Sequence, residues 1–256
     1  MHFDARVDAY EQSRPPYPEE LWQRLEVLGL LRPGLRVLDL GAGTGQATAR
    51  FVAVGARVTA VEPGVALAQR LHDRLPRVRI IPATAETAAL QPAAFDLAVA
   101  ATAAHWFDLA VVLPRLHTAL SQDGHLAVWR NVYGDPDART EFRSRIDAIV
   151  ARRSSPPERA GPGELDIAGW AERLTDTGLF TVCDTKQWRW SIQLDARQIR
   201  DLFSTFSDWT EDEAAAADRA ARDLDGTVTE HYRTWLIVLR RVTPEPLTSP
   251  VACAER

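Results

Sequence analysis

Residues 36 to 45 read Arg36-Val37-Leu38-Asp39-Leu40-Gly41-Ala42-Gly43-Thr44-Gly45, and no other stretch limits the fold as tightly. An apolar run carrying one acid passes directly into three alternate glycines, and Gln46 to Val54 then reads as a helix. The pattern is a strand, a tight turn and a helix start. Glycine there permits positive φ and leaves no Cβ between the backbone and a bound molecule. The helix after the turn offers unpaired N–H groups to a polar ligand. The stretch therefore predicts a ligand seat at the first strand–helix turn of an α/β sheet.

The rest of the chain is consistent with such a sheet. Leu21, Leu25 and Leu28 place a helix over 19–28. Strands are expected at 36–40, 57–61, 78–82, 95–100 and 125–129, alternating with helices at 46–54, 65–75 and 109–120, which argues for parallel strands with right-handed crossovers. Beyond Tyr133 the pattern changes. Helices are expected at 141–152, 167–177 and 195–206, with an exposed Ala-rich helix within 207–225. Strands at 180–192 and 228–242 are expected to form a long antiparallel pair at the sheet edge. The stretches 135–177 and 195–225 are read as helical cap insertions above the carboxyl ends of the strands, where ligands of open α/β sheets bind. The arm 1–20 is read either as a packed segment or as a lid in which Tyr10, Arg14 and Tyr17 close over a ligand. Residues 244–256 are expected to be a disordered tail, which leaves 1–243 as a single domain.

Bulk properties exclude several classes. The net charge of −5 gives no footprint for nucleic acid or an anionic membrane. Cys183 and Cys253 are far apart and build neither a disulfide framework nor a metal site. No stretch is apolar enough to span a membrane, and Met1 to Gln12 lack the apolar core of a signal peptide. A cytoplasmic protein without a metal is expected.

Residues beyond the turn narrow the ligand. A dinucleotide fingerprint wants G-x-G-x-x-G, but here the third glycine falls one place early, at Gly45, and Gln46 occupies its usual position. Glu62, followed by Pro63, ends the second strand, where an acid can accept hydrogen bonds from a ribose diol. Taken together, Val37 to Gly45, Glu62, Thr84-Ala85-Glu86, Phe95-Asp96-Leu97-Ala98 and Ala104-His105-Trp106-Phe107-Asp108 resemble the class I S-adenosylmethionine-dependent methyltransferases. The N-terminal Tyr10 to Pro18, Ser204 to Ser207 and His231-Tyr232-Arg233-Thr234 are similar to a small-molecule branch of that family that includes trans-aconitate-type enzymes.

The resemblance implies a Rossmann-like, seven-stranded, mostly parallel sheet of order 3-2-1-4-5-7-6 with strand 7 antiparallel. It implies S-adenosylmethionine as cofactor, S-adenosylhomocysteine as product, and a small-molecule acceptor methylated on oxygen, by a monomer or homodimer. The implied cofactor residues are Asp39, Gly41, Ala42, Gly43 and Gly45 at the methionine end, with Glu62 and Pro63 at the ribose. Thr84, Ala85 and Glu86 would border the adenine, and Ala101, Thr102 and Trp106 the reacting sulfur. Tyr10, Arg14 and Tyr17 would close over the methionine carboxylate. Thr84 departs from the Asp common in the adenine loop. His105 is the candidate base, set against a structural role that the resemblance favours, since a carboxylate acceptor needs no base. His231 and Tyr232 are weaker candidates. Trp188, Trp190, Phe203, Phe206 and Trp209 are read either as cap packing or as walls of an acceptor pocket with Ser204, Thr205 and Ser207. A cyclase or lyase on the same fold and a non-catalytic binding module remain as alternatives.

Overall fold

The computed structural model of the chain describes residues 13–154 and 161–242. Its strands are β1 (Arg36–Leu40), β2 (Arg57–Val61), β3 (Arg79–Ile81), β4 (Phe95–Ala101), β5 (Leu120–Tyr133), β6 (Phe180–Asp195) and β7 (Thr227–Arg241). They form one seven-stranded sheet of order β3-β2-β1-β4-β5-β7-β6. The first five strands run parallel, and β7 is antiparallel to both β5 and β6. This is the Rossmann-like topology expected from the sequence.

The helices are α1 (Glu19–Val27), α2 (Gln46–Ala53), α3 (Val65–Arg74), α4 (Leu109–Ala119), α5 (Glu141–Val150), α6 (Ile167–Thr175), α7 (Ala196–Ser204) and α8 (Glu211–Arg222). Both faces of the parallel strands are covered, which explains their near-continuous apolar runs. One face packs Leu38, Leu40, Ala98, Ala100 and Val128 against α4 and α6. The other packs Val37, Leu97, Val99 and Trp129 against α1, α2 and α3. On this second face Trp22 meets Phe51, Trp129 and Tyr17 edge-on, at centroid distances of 6.0, 5.9 and 6.0 Å, an arrangement favoured by the ring quadrupoles.

A third apolar cluster joins α5, α7 and α8 to Leu194 of β6 and Val228 of β7. It sits where the β6–β7 ribbon runs past the carboxyl end of β5, since Tyr133 pairs with Tyr232 and Leu194 with Val228. Capping boxes at Asp195/Gln198 and Thr210/Glu213 start α7 and α8 by satisfying donors at the helix ends. α6 instead packs Trp170 and Leu174 into the main sheet layer.

Two elements differ from the sequence reading. β5 begins at Leu120 and reaches Tyr133, with a register shift against β4 between Phe95 and Leu97. The Asp123-Gly124 pair lies within this irregular strand start, ahead of the expected strand at 125–129. The far end was hidden by its polar residues, but Arg130 pairs with Glu164 and Asn131 accepts from Thr234 Oγ1 at 2.6 Å. The Ala-rich helix is not exposed: Ala214, Ala217 and Ala221 of α8 are fully buried, their small side chains letting α8 approach α7.

Phe203 anchors this third cluster, fully buried between Tyr133 at 5.0 Å, Phe206 at 5.4 Å and Trp209 at 4.1 Å. Phe203→Ala should cost about 3–5 kcal/mol of stability, read as a lower urea midpoint. An unchanged midpoint would mean that the cluster lies outside the cooperative unit.

Candidate active site

The glycine turn is shaped by packing on both sides. Gly41 has φ +66°, and a Cβ added to it would lie 2.7 Å from the Ala103 Cβ. Gly45 has φ +85° and caps α2, and a Cβ there would meet Leu71 of α3 at 3.1 Å. The turn thus lies pressed between the exit of β4 and helix α3, and only glycine fits both the space and the left-handed conformation. Its amides are not an open anion cradle. The Gly41 and Ala42 N–H groups donate to the Val61 carbonyl at 2.9 and 3.2 Å, and Gly45 N–H donates to the Ala42 carbonyl at 2.9 Å. The turn thus spends the Gly41, Ala42 and Gly45 N–H groups on the protein's own carbonyls. It offers shape and lack of side chain, which suits an uncharged surface of a ligand better than a phosphate.

Two carboxylates hold the turn from below. Glu62 is buried, and its two oxygens accept from Gly43 N–H and Gly64 N–H, both at 2.8 Å. One side chain thereby ties the β1 turn to the start of α3. Asp39 is fully buried on β1, and its Oδ2 accepts from Thr48 Oγ1 of α2 at 2.5 Å. Its Oδ1 has no hydrogen-bond partner among the described residues. Burial, opposed in part by Thr48 and reinforced by the nearby Glu62 charge, raises the Asp39 carboxyl from its ordinary 3.8 to about 6. Pro63 follows Glu62, half-buried.

The loop after β3 carries Thr84, Ala85 and Glu86. Ala85 is buried in the core, and Thr84 Oγ1 lies 3.1 Å from Thr87 Oγ1. Glu86 accepts from Asp108 N–H at 3.0 Å, which fastens this loop to the segment after β4. Burial opposes ionisation of Glu86, but hydrogen bonds from Thr84 and from backbone amides, with Arg115 nearby, outweigh it and lower the pKa.

β4 ends at Ala101, and Thr102 follows with φ +54°. That is an unusual conformation for a β-branched residue and costs about 1–3 kcal/mol. The surroundings hold it there. Thr102 N–H donates to the Trp129 carbonyl at 2.7 Å, its Oγ1 lies 3.2 Å from the Tyr17 hydroxyl, and Asn131 N–H donates to it at 3.4 Å. His105 and Trp106 come next on a short 3₁₀ turn, with ring centroids 4.8 Å apart. Trp106 is 57% exposed, so it lies at a rim and not in the core.

The arm from Ser13 crosses this region. Pro15 and Pro16 carbonyls accept from Gln46 Nε2 at 3.0 Å and Asn131 Nδ2 at 3.4 Å. Tyr17 is both packed and polar-tipped: its ring meets Trp129 edge-on at 5.7 Å while its hydroxyl reaches Thr102. Arg14 donates to the Thr205 carbonyl at 3.1 Å and lies 4.8 Å over the Phe206 ring, so it joins the arm to the end of α7. Tyr10 lies outside the described residues. The aromatic residues of the cap divide. Phe203 and Trp209 pack within its cluster, whereas Trp190 stacks on Tyr232 at 4.7 Å beside the sheet.

Sequence reasoning missed Tyr133 and Glu230. Tyr133 lay beyond the expected end of β5, and Glu230 reads as an ordinary acid in a polar strand start. The alternation Val228, Glu230, Tyr232, Thr234 along β7 is the one signal that could have placed Glu230 on the inward face.

Fold and turn together define an α/β domain with a candidate ligand seat at the carboxyl ends of β1, β2 and β4. Comparison with known proteins narrows this. Residues 38–128 match the family model described as a methyltransferase domain. Uncharacterized methyltransferases of Mycobacterium bovis and Mycobacterium tuberculosis are each 31% identical over 207 residues, 81% of this chain and 77% of theirs. A trans-aconitate 2-methyltransferase of Paracidovorax citrulli is 35% identical over 149 residues, 56% of this chain and 53% of its own. Among solved structures, a candidate type II methyltransferase from Anaeromyxobacter dehalogenans superposes with a TM-score of 0.63 at 24% identity, over 89% of this chain and 97% of that one. The chain belongs to the class I S-adenosylmethionine-dependent methyltransferases. Among the described residues, no helix is long and apolar enough to cross a membrane, and no cluster of His, Cys, Asp and Glu is arranged to hold a metal ion.

Asp39 makes stability depend on pH. Its folded pKa of about 6 lies above the ordinary 3.8, so the folded state binds this proton more tightly than the unfolded state does. The resulting stabilisation is complete below about pH 4 and is lost as pH rises through about 6, amounting to about 3 kcal/mol. Asp39→Asn, which keeps an acceptor for Thr48, should remove that pH dependence. Urea titrations of both proteins between pH 4 and 7 would show it; parallel curves would refute it. Gly41→Ala should weaken S-adenosylhomocysteine binding by at least about tenfold through the clash at Ala103, measured by calorimetry.

Proposed function

We propose that the chain transfers the methyl group of S-adenosylmethionine to an oxygen of a small acceptor, a carboxylate or a hydroxyl. The observation that carries this reading is the Glu62 clamp on a turn of three left-handed glycines, set beside the strained Thr102 at the exit of β4. When bound, S-adenosylmethionine supplies an activated methyl on a sulfonium sulfur. The residues present fit it: a turn of three glycines, a buried acid just past β2, and beneath the turn an Asp39 Oδ1 with no hydrogen-bond partner among the described residues.

In this reading Glu62 accepts from the ribose hydroxyls with the lone pairs its backbone bonds leave unused. Gly41, Ala42, Gly43, Gly45 and Pro63 line the path of the methionine moiety, and Asp39 fixes the turn. Thr84, Ala85 and Glu86 border the adenine. Arg14 and Tyr17 close the site on the arm side, and Tyr10 is assigned with them by the sequence resemblance alone. Ala101, Thr102 and Trp106 border the reacting end, where positioning and exclusion of water supply most of the rate.

A carboxylate acceptor is already ionised and needs no base. His105, tilted against Trp106 on the 3₁₀ turn, then shapes the rim. The trans-aconitate relative, by its name, acts on an acid, which favours carboxylic acids among the candidates.

Incubation of the chain with S-adenosylmethionine and a panel of polycarboxylic acids and phenols, followed by mass spectrometry, should give methylated acceptor and S-adenosylhomocysteine in equal amounts. Methylthioadenosine formed without any acceptor would instead indicate a lyase, and binding without turnover across the panel a non-catalytic module. With a carboxylic acid acceptor, His105→Gln should lower kcat by less than about tenfold. A loss beyond about a hundredfold, with the acid limb of the pH–rate profile abolished, would make His105 the base.

A further inference from the structure

A polar band that the cofactor seat does not use runs between the apolar cluster of the α1–α3 face and the cluster under α5, α7 and α8. It consists of Tyr133 on β5 with Tyr232 and Glu230 on β7. The two tyrosines are cross-strand partners with ring centroids 5.5 Å apart. Glu230 is 1% exposed and Tyr232 3%. The Tyr133 and Tyr232 hydroxyl oxygens and Glu230 Oε2 are buried without a hydrogen bond of ordinary geometry among the described residues, although the Tyr133 hydroxyl lies near enough to Glu230 to favour its charged form. One such atom is tolerable in a folded protein, but three in one place mark a polar group waiting for a partner.

The position of the band says what that partner is. Thr102 Oγ1 accepts from Asn131 N–H, and Asn131 pairs with Thr234. Tyr133 and Tyr232 lie two residues further along these strands, about 7 Å past the exit of β4, and Glu230 lies another pleat beyond. All project on the side of the sheet that carries Tyr17 and Trp129. The band is therefore within one small molecule's length of the reacting end of the cofactor seat. Its walls are flat and apolar: Trp190 lies on Tyr232 with an interplanar angle of 16°, and Phe206 stands 5.5 Å from Tyr133.

The charges on it are already matched. The Arg143 guanidinium lies 4.5 Å over the Tyr133 ring. Burial raises the pKa of Glu230, while Arg143 and the Tyr133 hydroxyl favour its charged form and Asp147 of α5 opposes it. Arg14 faces Tyr232 from the arm. A second anion would meet Glu230, and a second cation would meet Arg143. What is lacking is a neutral group that donates to a carboxylate oxygen and accepts from a phenol, and a hydroxyl does both.

We propose that Tyr133, Tyr232 and Glu230 form the acceptor-recognition subsite, and that it takes a neutral hydroxyl on a flat acceptor at the end remote from the methylated oxygen. This rests on the methyl-transfer reading and narrows its acceptor to hydroxylated, largely aromatic acids. The three residues select and position the acceptor and take no part in the chemistry.

The test compares 4-hydroxyphenylacetate with phenylacetate, which differ only in that hydroxyl, titrated calorimetrically into the full chain with and without S-adenosylhomocysteine. Wild type should bind the hydroxylated probe at least about tenfold more tightly. Tyr133→Phe/Tyr232→Phe should abolish the preference and Glu230→Gln should reduce it, with S-adenosylhomocysteine affinity unchanged in all. Equal affinity for the two probes in wild type, binding of neither, or a preference retained in the double variant would overturn the proposal. The cofactor reading fails on a different signal, absence of S-adenosylhomocysteine binding to wild type, and the probe preference is read in its presence and absence alike.

Discussion

Two backbone amides from different loops converge on one buried carboxylate, and the site depends on that meeting. Glu62 takes Gly43 N–H on one oxygen and Gly64 N–H on the other. A buried carboxylate without donors would cost several kcal/mol. With two, it becomes a fixed corner joining the β1 turn to the start of α3. The same corner keeps Gly45 against Leu71 and Gly41 against Ala103. The path over the turn is therefore set by packing before any ligand arrives. Asp39 sits behind it, fully buried, with one oxygen on Thr48, and it holds α2 to β1 from the opposite side. The protein has spent two internal acids on shaping a turn, which explains why the turn's own amides need not carry a ligand's charge.

The other half of the site is held by strain and by aromatic contact. Thr102 stays in the left-handed region because its N–H, its hydroxyl and the neighbouring Ala103 are each fixed by another element: β5, the arm and the glycine turn respectively. Tyr17 links these parts, with its ring in the Trp22–Trp129 cluster and its hydroxyl at Thr102. Movement of the arm would thus be felt at the exit of β4. Arg14 extends the coupling to the Thr205 carbonyl at the end of α7. Arm, strand exit and cap are connected by bonds of ordinary length through residues that also line the site.

The sheet and the glycine turn were legible in the sequence for a clear reason. Strands buried on both faces must be apolar throughout, and a turn squeezed from two sides must be glycine; both requirements leave marks in one dimension. Gly41 and Gly45 could be placed without coordinates, and so could the end of β2 at Glu62. The cap side left fainter marks. Arg130 and Asn131 disguised the continuation of β5 because each polar side chain finds a partner, Glu164 or Thr234, from distant sequence. The alanines of α8 looked like an exposed helix because small side chains carry little hydrophobic signal, although they are what permits close approach to α7. Glu230 left only one faint mark, the alternation Val228, Glu230, Tyr232, Thr234 along β7, because an acid in a polar strand start otherwise reads as turned to water.

That asymmetry reflects how the two halves meet their ligands. The glycine turn belongs to a family-wide pattern, and its constraints are steric, local and written as contiguous residues. The cap side is assembled from the far ends of β5 and β7, the arm and α7, elements separated by up to 191 residues at the Arg14–Thr205 contact. Helices α5, α7 and α8 can change without disturbing the glycine turn, because they share an apolar cluster of their own. A chain built this way can keep its chemistry and exchange its acceptor by substitutions at a few inward positions of one ribbon. In the proposed reading Tyr133, Tyr232 and Glu230 are such positions: they lie on strand faces fixed by the sheet, so their geometry is stable, yet none of them supports the glycine turn.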